Sequence, residues 1–106
     1  MRAGDLRHRL ILQHKTTIKD AYNQPIETWT DWKTVWCAFE PLRGRERFAH
    51  QERSAESDVR FRIRYLDGVD SATTRGVLDG LTYDIQAVID VDGRRRELHL
   101  MARRVV

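Results

Sequence analysis

WTDWKTVWCAFEPLRGRE, residues 29–46, holds all three tryptophans of the chain (Trp29, Trp32 and Trp36), one of its two prolines, and a sharp change of character at Pro41. Before that proline, Val35-Trp36-Cys37-Ala38-Phe39 is apolar at every position. Such a run predicts a strand segment covered on both faces, in a domain too small for many such places. The alternation extends upstream, with Trp29, Val35, Cys37 and Phe39 on one face and Trp32, Trp36 and Ala38 on the other. One tryptophan can bury roughly 200 Å², so this strand is expected to supply much of the core, with Trp29, Trp36, Phe39 and Pro41 as its structural anchors. After the proline, Leu42-Arg43-Gly44-Arg45-Glu46-Arg47 is charged and broken by glycine, and leaves the sheet.

The flanking sequence follows the same period of two. Residues 6–13 place Leu6, His8, Leu10 and Leu12 on one face and Arg7, Arg9 and Gln13 on the other. Turn residues at 20–25 lead into a long second strand over 26–39. Residues 44–55 form either a short helix with a thin apolar stripe or an ordered loop. Residues 58–65 read as a strand with Val59, Phe61, Ile63 and Tyr65 inward and Arg60, Arg62 and Arg64 outward. Asp-Gly pairs at 67–68, 79–80 and 92–93 mark turns. Short strands are expected at 75–78, at 81–89 (Leu81, Tyr83, Ile85, Ala87 and Ile89 on one face) and at 94–105, the last two forming a hairpin. The whole is a single antiparallel all-β domain over residues 1–106, with about six strands and one helical or looped excursion after strand two.

At 106 residues the chain is long enough for a core without metal or disulfide staples, and its one cysteine, Cys37, reads as a small buried hydrophobe. No apolar run approaches the ~20 residues needed to cross a bilayer, and no signal-peptide core follows Met1. The expectation is a soluble protein made in the cytoplasm, with no membrane partner. The net charge is only +3, but it is segregated. Basic residues dominate the two termini, whereas Asp67, Asp70, Asp79, Asp84, Asp90 and Asp92 face Arg75 alone over residues 66–93. Such a molecule can attract copies of itself head to tail.

Catalytic and metal patterns are missing. The histidines (8, 14, 50 and 99) have no ligand spacing; His8 and His99 sit on strands and are the pair that a sheet would bring together. Glycines fall at turns, not in a phosphate-binding loop, and no serine stands in a nucleophile elbow. The sequence therefore predicts no enzyme, cofactor or metal. Two basic groups remain. Arg60, Arg62 and Arg64 share a strand face and read as a solvated surface paired to carboxylates, with Glu46, Glu52, Glu56 and Asp58 nearby in sequence. Arg43, Arg45, Arg47 and Arg53 crowd the stretch after Pro41, and are candidate contacts to DNA.

In order and spacing, these features resemble the head–tail joining family of tailed bacteriophages, also called head-closure or stopper proteins. The resemblance rests on Gly4-Asp5-Leu6-Arg7-His8-Arg9, on the tryptophan strand through Val35-Trp36-Cys37-Ala38-Phe39-Glu40-Pro41-Leu42-Arg43-Gly44-Arg45-Glu46, on Phe61-Arg62-Ile63-Arg64-Tyr65 and on Gly80-Leu81-Thr82-Tyr83-Asp84-Ile85. Cys37 departs from it, since the family more often carries a small residue such as alanine there. The resemblance implies a small β-barrel that joins copies of itself in a ring at the head–tail neck of a virion, beneath portal and adaptor proteins. That ring would seal the channel over packaged double-stranded DNA and dock the tail terminator or tail tube. The excursion over residues 43–57 would face the channel. Two other readings stand beside it: a small β-barrel module that binds nucleic acid directly, and a neighbouring tail-completion protein.

Overall fold

The computed structural model describes residues 3–42 and 58–105. Six strands follow a 3-10 turn at Ala3–Asp5: β1 (His8–Lys19), β2 (Pro25–Pro41), β3 (Val59–Arg64), β4 (Thr74–Leu78), β5 (Leu81–Asp90) and β6 (Glu97–Arg104). Every pairing is antiparallel, and the sheet closes on itself in the order β1-β2-β3-β6-β5-β4. Within the barrel, closure removes the free edges that an open sheet of this size would leave to solvent. The expected all-β architecture and its antiparallel strands are those observed. The excursion over 44–55 lies outside the described residues.

The core is the inner set of the alternation. Leu10 and Leu12 of β1, Cys37 of β2, Phe61 and Ile63 of β3, and Leu100 and Ala102 of β6 have no exposed surface, and Leu78, Tyr83, Ile85 and Leu98 are buried around them. Phe61 stands edge-on to Tyr83 with centroids 5.1 Å apart, and Phe39 lies 5.8 Å from Phe61. Across from Tyr83 on β4 stands Gly76. A Cβ at that position would come within 2.9 Å of Leu10 Cδ1. Leu10 is itself fully enclosed, so it has little room to give way. Gly76→Ala is expected to lower stability by about 1–3 kcal/mol, the usual cost of forcing a methyl into a filled core, read as a lower urea midpoint at unchanged m-value.

Two bulges change which residues face inward. Between Leu12 and Gln13 the β1–β2 register slips, so that Leu12 meets Lys33 and Gln13 meets Asp31. The extra residue is Trp32, which packs on the core with Val35 and Phe39 and stacks on His14 at 3.8 Å. Trp29 is thereby moved to the outer face, where the Arg75 guanidinium covers its ring at 4.6 Å. The expected grouping of Trp29 with the inward residues is corrected by this slip, since one inserted residue flips every side chain beyond it. A second slip between Ile85 and Ala87 makes Val88, not Ala87 or Ile89, the partner of inward Leu100. Trp36 is also not covered: it is 53% exposed. The apolar run at 35–39 has two covered faces only at Cys37 and Ala38.

The Asp-Gly pairs serve different turns. Asp79 (φ 50°) and Gly80 (φ 79°) form a two-residue hairpin between β4 and β5, the conformation this pair favours. Asp92 and Gly93 lie in a 3-10 turn that opens the longer β5–β6 connection. Gly68 turns the chain after β3, where its missing side chain lets the Trp32 ring approach.

The first hairpin is longer than the alternation suggested. β1 runs on to Lys19, six residues past Gln13, in register with β2 down to Lys19 opposite Pro25. Only Ile11–His14 of β1 pair with β4, and only Cys37–Pro41 of β2 pair with β3. The remainder is a two-stranded arm extending from the barrel, and the molecule measures 48 × 28 × 27 Å. The arm's tip is tied by Asp20 Oδ1, which accepts from the backbone N–H groups of Tyr22 and Gln24, both at 2.9 Å, with Asn23 in the left-handed region.

Candidate functional site

The strand registers give the barrel two unlike ends. At one, β2 finishes at Pro41 opposite Val59, β6 finishes beside them, and β4 turns into β5. At the other, the arm leaves the barrel and β5 turns into β6. Leu42 and Asp58, which flank residues 43–57, stand at the first end. Leu42 N–H donates to the Asp58 carbonyl at 2.8 Å, and Asp58 N–H donates to the Ala102 carbonyl at 2.9 Å. Those two bonds, with Leu42 buried, clamp the points where residues 43–57 leave and rejoin the barrel. Arg43, Arg45, Arg47 and Arg53 themselves lie outside the described residues.

Of the four expected anchors, Phe39 is half-buried and touches the rings of His8, Phe61 and Tyr83. Pro41 is exposed as the last residue of β2, and Trp29 is half-buried on the outer face. Trp36 lies open beneath the Arg9 guanidinium, 5.1 Å away. Beside it, β2 and β3 part beyond the Cys37–Ile63 pair. The divergence opens an apolar groove of about 520 Å³ lined by Leu6, Val35, Trp36, Arg64, Tyr65 and Leu66. An exposed tryptophan next to an arginine, in a mostly apolar recess, is the composition of protein-contact surfaces. Sequence reading missed this groove because the alternation treats Trp36 and Tyr65 as covered, and strand divergence leaves no local signal.

Two of the three outward arginines of β3, Arg60 and Arg62, are paired across strands, while Arg64 lines the groove. Arg60 Nε donates to Glu40 Oε1 at 3.0 Å, and Arg62 Nε lies 3.3 Å from the same oxygen without aiming its N–H at it. Arg62 Nη1 is 3.6 Å from Glu97 Oε1, which also faces His99 Nε2 at 3.8 Å. Glu40 and Glu97 on flanking strands are thus partners of Arg60 and Arg62, while the expected Glu46, Glu52 and Glu56 lie outside the described residues. Burial, and then the Arg60 charge, push the His99 pKa down, with Glu97 and Glu40 opposing. At neutral pH His99 is therefore an uncharged member of the patch. His8 and His99 do not meet, because β2 and β3 stand between their strands. Among the described residues no three metal-ligating side chains cluster, and no helix is long and apolar enough to cross a membrane.

The described residues thus form a closed six-stranded barrel with an apolar groove and a projecting two-stranded arm. The phage head completion protein family matches the chain over residues 1–105, and the chain belongs to that family, a structural and non-enzymatic one whose members are virion components. Head completion protein gp7 of Enterobacteria phage HK97 is 28% identical over 80 residues, which cover 76% of this chain and 71% of the relative. Among solved structures, protein SF1141 from Shigella flexneri 2a superposes with a TM-score of 0.81 at 24% identity, over 98% of this chain and 96% of the other. A chain from the virion of a native gene transfer agent particle superposes with a TM-score of 0.59 at 18% identity, over 95% and 96% respectively. Those two likenesses concern the fold.

Proposed function

We propose that this chain closes the head of a tailed particle at its neck. Copies join in a ring beneath portal and adaptor proteins, residues 43–57 face the channel, and the barrel presents the surface on which the tail terminator or tail tube docks. In this reading Arg43, Arg45, Arg47 and Arg53 oppose the phosphates of packaged double-stranded DNA, while the rigid barrel holds the segment's two ends. The carrying observation is membership of the head completion family over nearly the whole chain. The clamp at Leu42 and Asp58 supports it, because a segment set against DNA under pressure needs a base that does not move with it.

The test is made on particles from a genome lacking this gene. Filled heads that leak DNA and carry no tails are the expected result. Sealed heads with defective tails would move the protein to tail completion and overturn head closure. In complemented particles, Arg43→Gln, Arg45→Gln, Arg47→Gln and Arg53→Gln together should leave incorporation unchanged and raise DNA loss; unchanged retention would remove the arginines from the mechanism. Absence from particles, with binding of free DNA that falls steeply as salt rises, would instead establish a nucleic-acid-binding module.

A further inference from the structure

We infer that the arms of neighbouring copies pair edge to edge, the distal edge of β1 in one copy adding to the free edge of β2 in the next. The inference rests on the ring reading above and adds the interface that would build the ring. Beyond His14 the side of β1 that faces away from β2 has one described backbone partner, Lys15 N–H to Thr73 O at 2.8 Å. Residues 16–19 therefore present an open edge. On the opposite side, β2 has no strand beside it from Ile26 to Trp36 among the described residues. A two-stranded ribbon is marginally stable alone in water, and this one exposes the cross-strand pair Ile18 (52%) and Ile26 (41%). A third strand on either edge would supply the missing backbone bonds and cover that pair.

Charge selects the partner. In the arm, β1 carries Lys15 and Lys19 with no acidic residue, and residues 25–31 of β2 carry Glu27 and Asp31 with no basic one. The register places Lys15, Thr17 and Lys19 on the same face as Glu27, Trp29 and Asp31. Over residues 15–19 and 25–31 one edge is thus cationic and the other anionic; Lys33, further along the free edge of β2, lies past the bulge opposite Leu12. Within the arm Lys15 Nζ reaches Glu27 at 3.1 Å, while Lys19 has no ion-pair partner among the described residues. A second copy offers what each edge lacks, since its β2 brings Glu27 and Asp31 to Lys19. Direction agrees as well. In a ring the arms point the same way, so β1 of one copy and β2 of the next run antiparallel, as every pair in the barrel does. Such a contact is heterologous and closes only by rotation around an axis.

Charge exchange tests it in particles lacking the gene and supplied with the full chain in trans. Lys15→Glu with Lys19→Glu makes both edges acidic, and Glu27→Lys with Asp31→Lys makes both basic. Each variant alone should enter particles about tenfold less than wild type, the effect of one unfavourable charge contact of modest size. Supplied together the two should recover, because copies that alternate match at their junctions. A single chain carrying all four exchanges should recover as well. Recovery on mixing, with melting curves of each purified variant, separates lost pairing from lost folding, because the four-exchange chain also restores the Lys15–Glu27 pair within its own arm. Glu27→Lys alone leaves the Asp31–Gln13 bond in place and should show a smaller loss, rescued by the acidic variant. Entry of the acidic variant at the wild-type level, or no recovery on mixing, overturns the arm pairing while the ring stands. Loss confined to the β2 exchange would mean that another protein's strand occupies that edge, which also overturns it. Failure of the wild-type chain to enter particles removes the ring reading itself and the pairing with it.

Discussion

Phe61→Ala is expected to cost about 3–5 kcal/mol, the range for emptying an aromatic site in a filled core. Phe61 is fully buried, stands edge-on to Tyr83 at 5.1 Å and contacts Phe39. It also sits on β3, paired with Phe39 of β2 on one side and Leu100 of β6 on the other. Removing the ring therefore withdraws contacts from three strands at once. Domains of this size hold only ~5–15 kcal/mol in total, so the variant should unfold at a much lower urea concentration than wild type. A loss below about 1 kcal/mol would mean that the aromatic cluster is not the centre of the core. Phe61→Leu, which keeps most of the volume, should lose much less.

Cys37 should resist alkylation for as long as the barrel is folded. Its side chain has no exposed surface, and its pKa is pushed up to about 12, by burial first and by the Asp79 carboxylate second. Only the thiolate reacts. Modification at neutral pH must therefore pass through an opened form, populated about 10³-fold or more below the folded one at ordinary stabilities. Iodoacetamide labelling followed by mass spectrometry should show protection of that order against a urea-unfolded control, and Phe61→Ala should erase most of it. The same shift sets a pH dependence. An unfolded thiol ionises near its ordinary value of roughly 8.5, whereas the folded one waits until about 12. Between those values the unfolded chain binds fewer protons, so stability falls as pH rises, by up to about 1.4 kcal/mol per pH unit. Below that window Cys37 contributes no slope. Cys37→Ala should flatten the alkaline limb, and an unchanged limb would show that the thiol is not the group responsible.

How far the sequence could be read is best seen in individual residues. Val59, Phe61 and Ile63 lie inward as their alternation requires, because β3 is short, unbulged and paired on both sides. Asp79-Gly80 turns where a tight hairpin was expected, since positive φ at two successive residues is a local demand that this pair meets. Trp29, Ala87 and Ile89 were misassigned because a bulge adds one residue against a partner strand, and that slip is not written in either strand alone. The arm was missed at residues 16–19 for a related reason. Its threonines and lysine carry no apolar alternation, and only pairing with β2 makes them a strand. For the candidate site, the basic stretch was legible as composition and its point of attachment as the end of a strand. The groove beside Trp36 was not, because it exists only where β2 and β3 part.

What the amino-acid order determined alone is the period of two, the positions of the tight turns, the inward set of the unbulged strands and the family to which the chain belongs. These are properties of neighbouring residues, decided by sterics and solubility over a few positions. Tertiary structure alone decided that the sheet closes between β1 and β4, that Glu40 and Glu97 serve Arg60 and Arg62, and that the arm and the attachment points Leu42 and Asp58 stand at opposite ends of the barrel. Each of these depends on the register between strands distant in sequence, and register is set by the packing of the whole barrel.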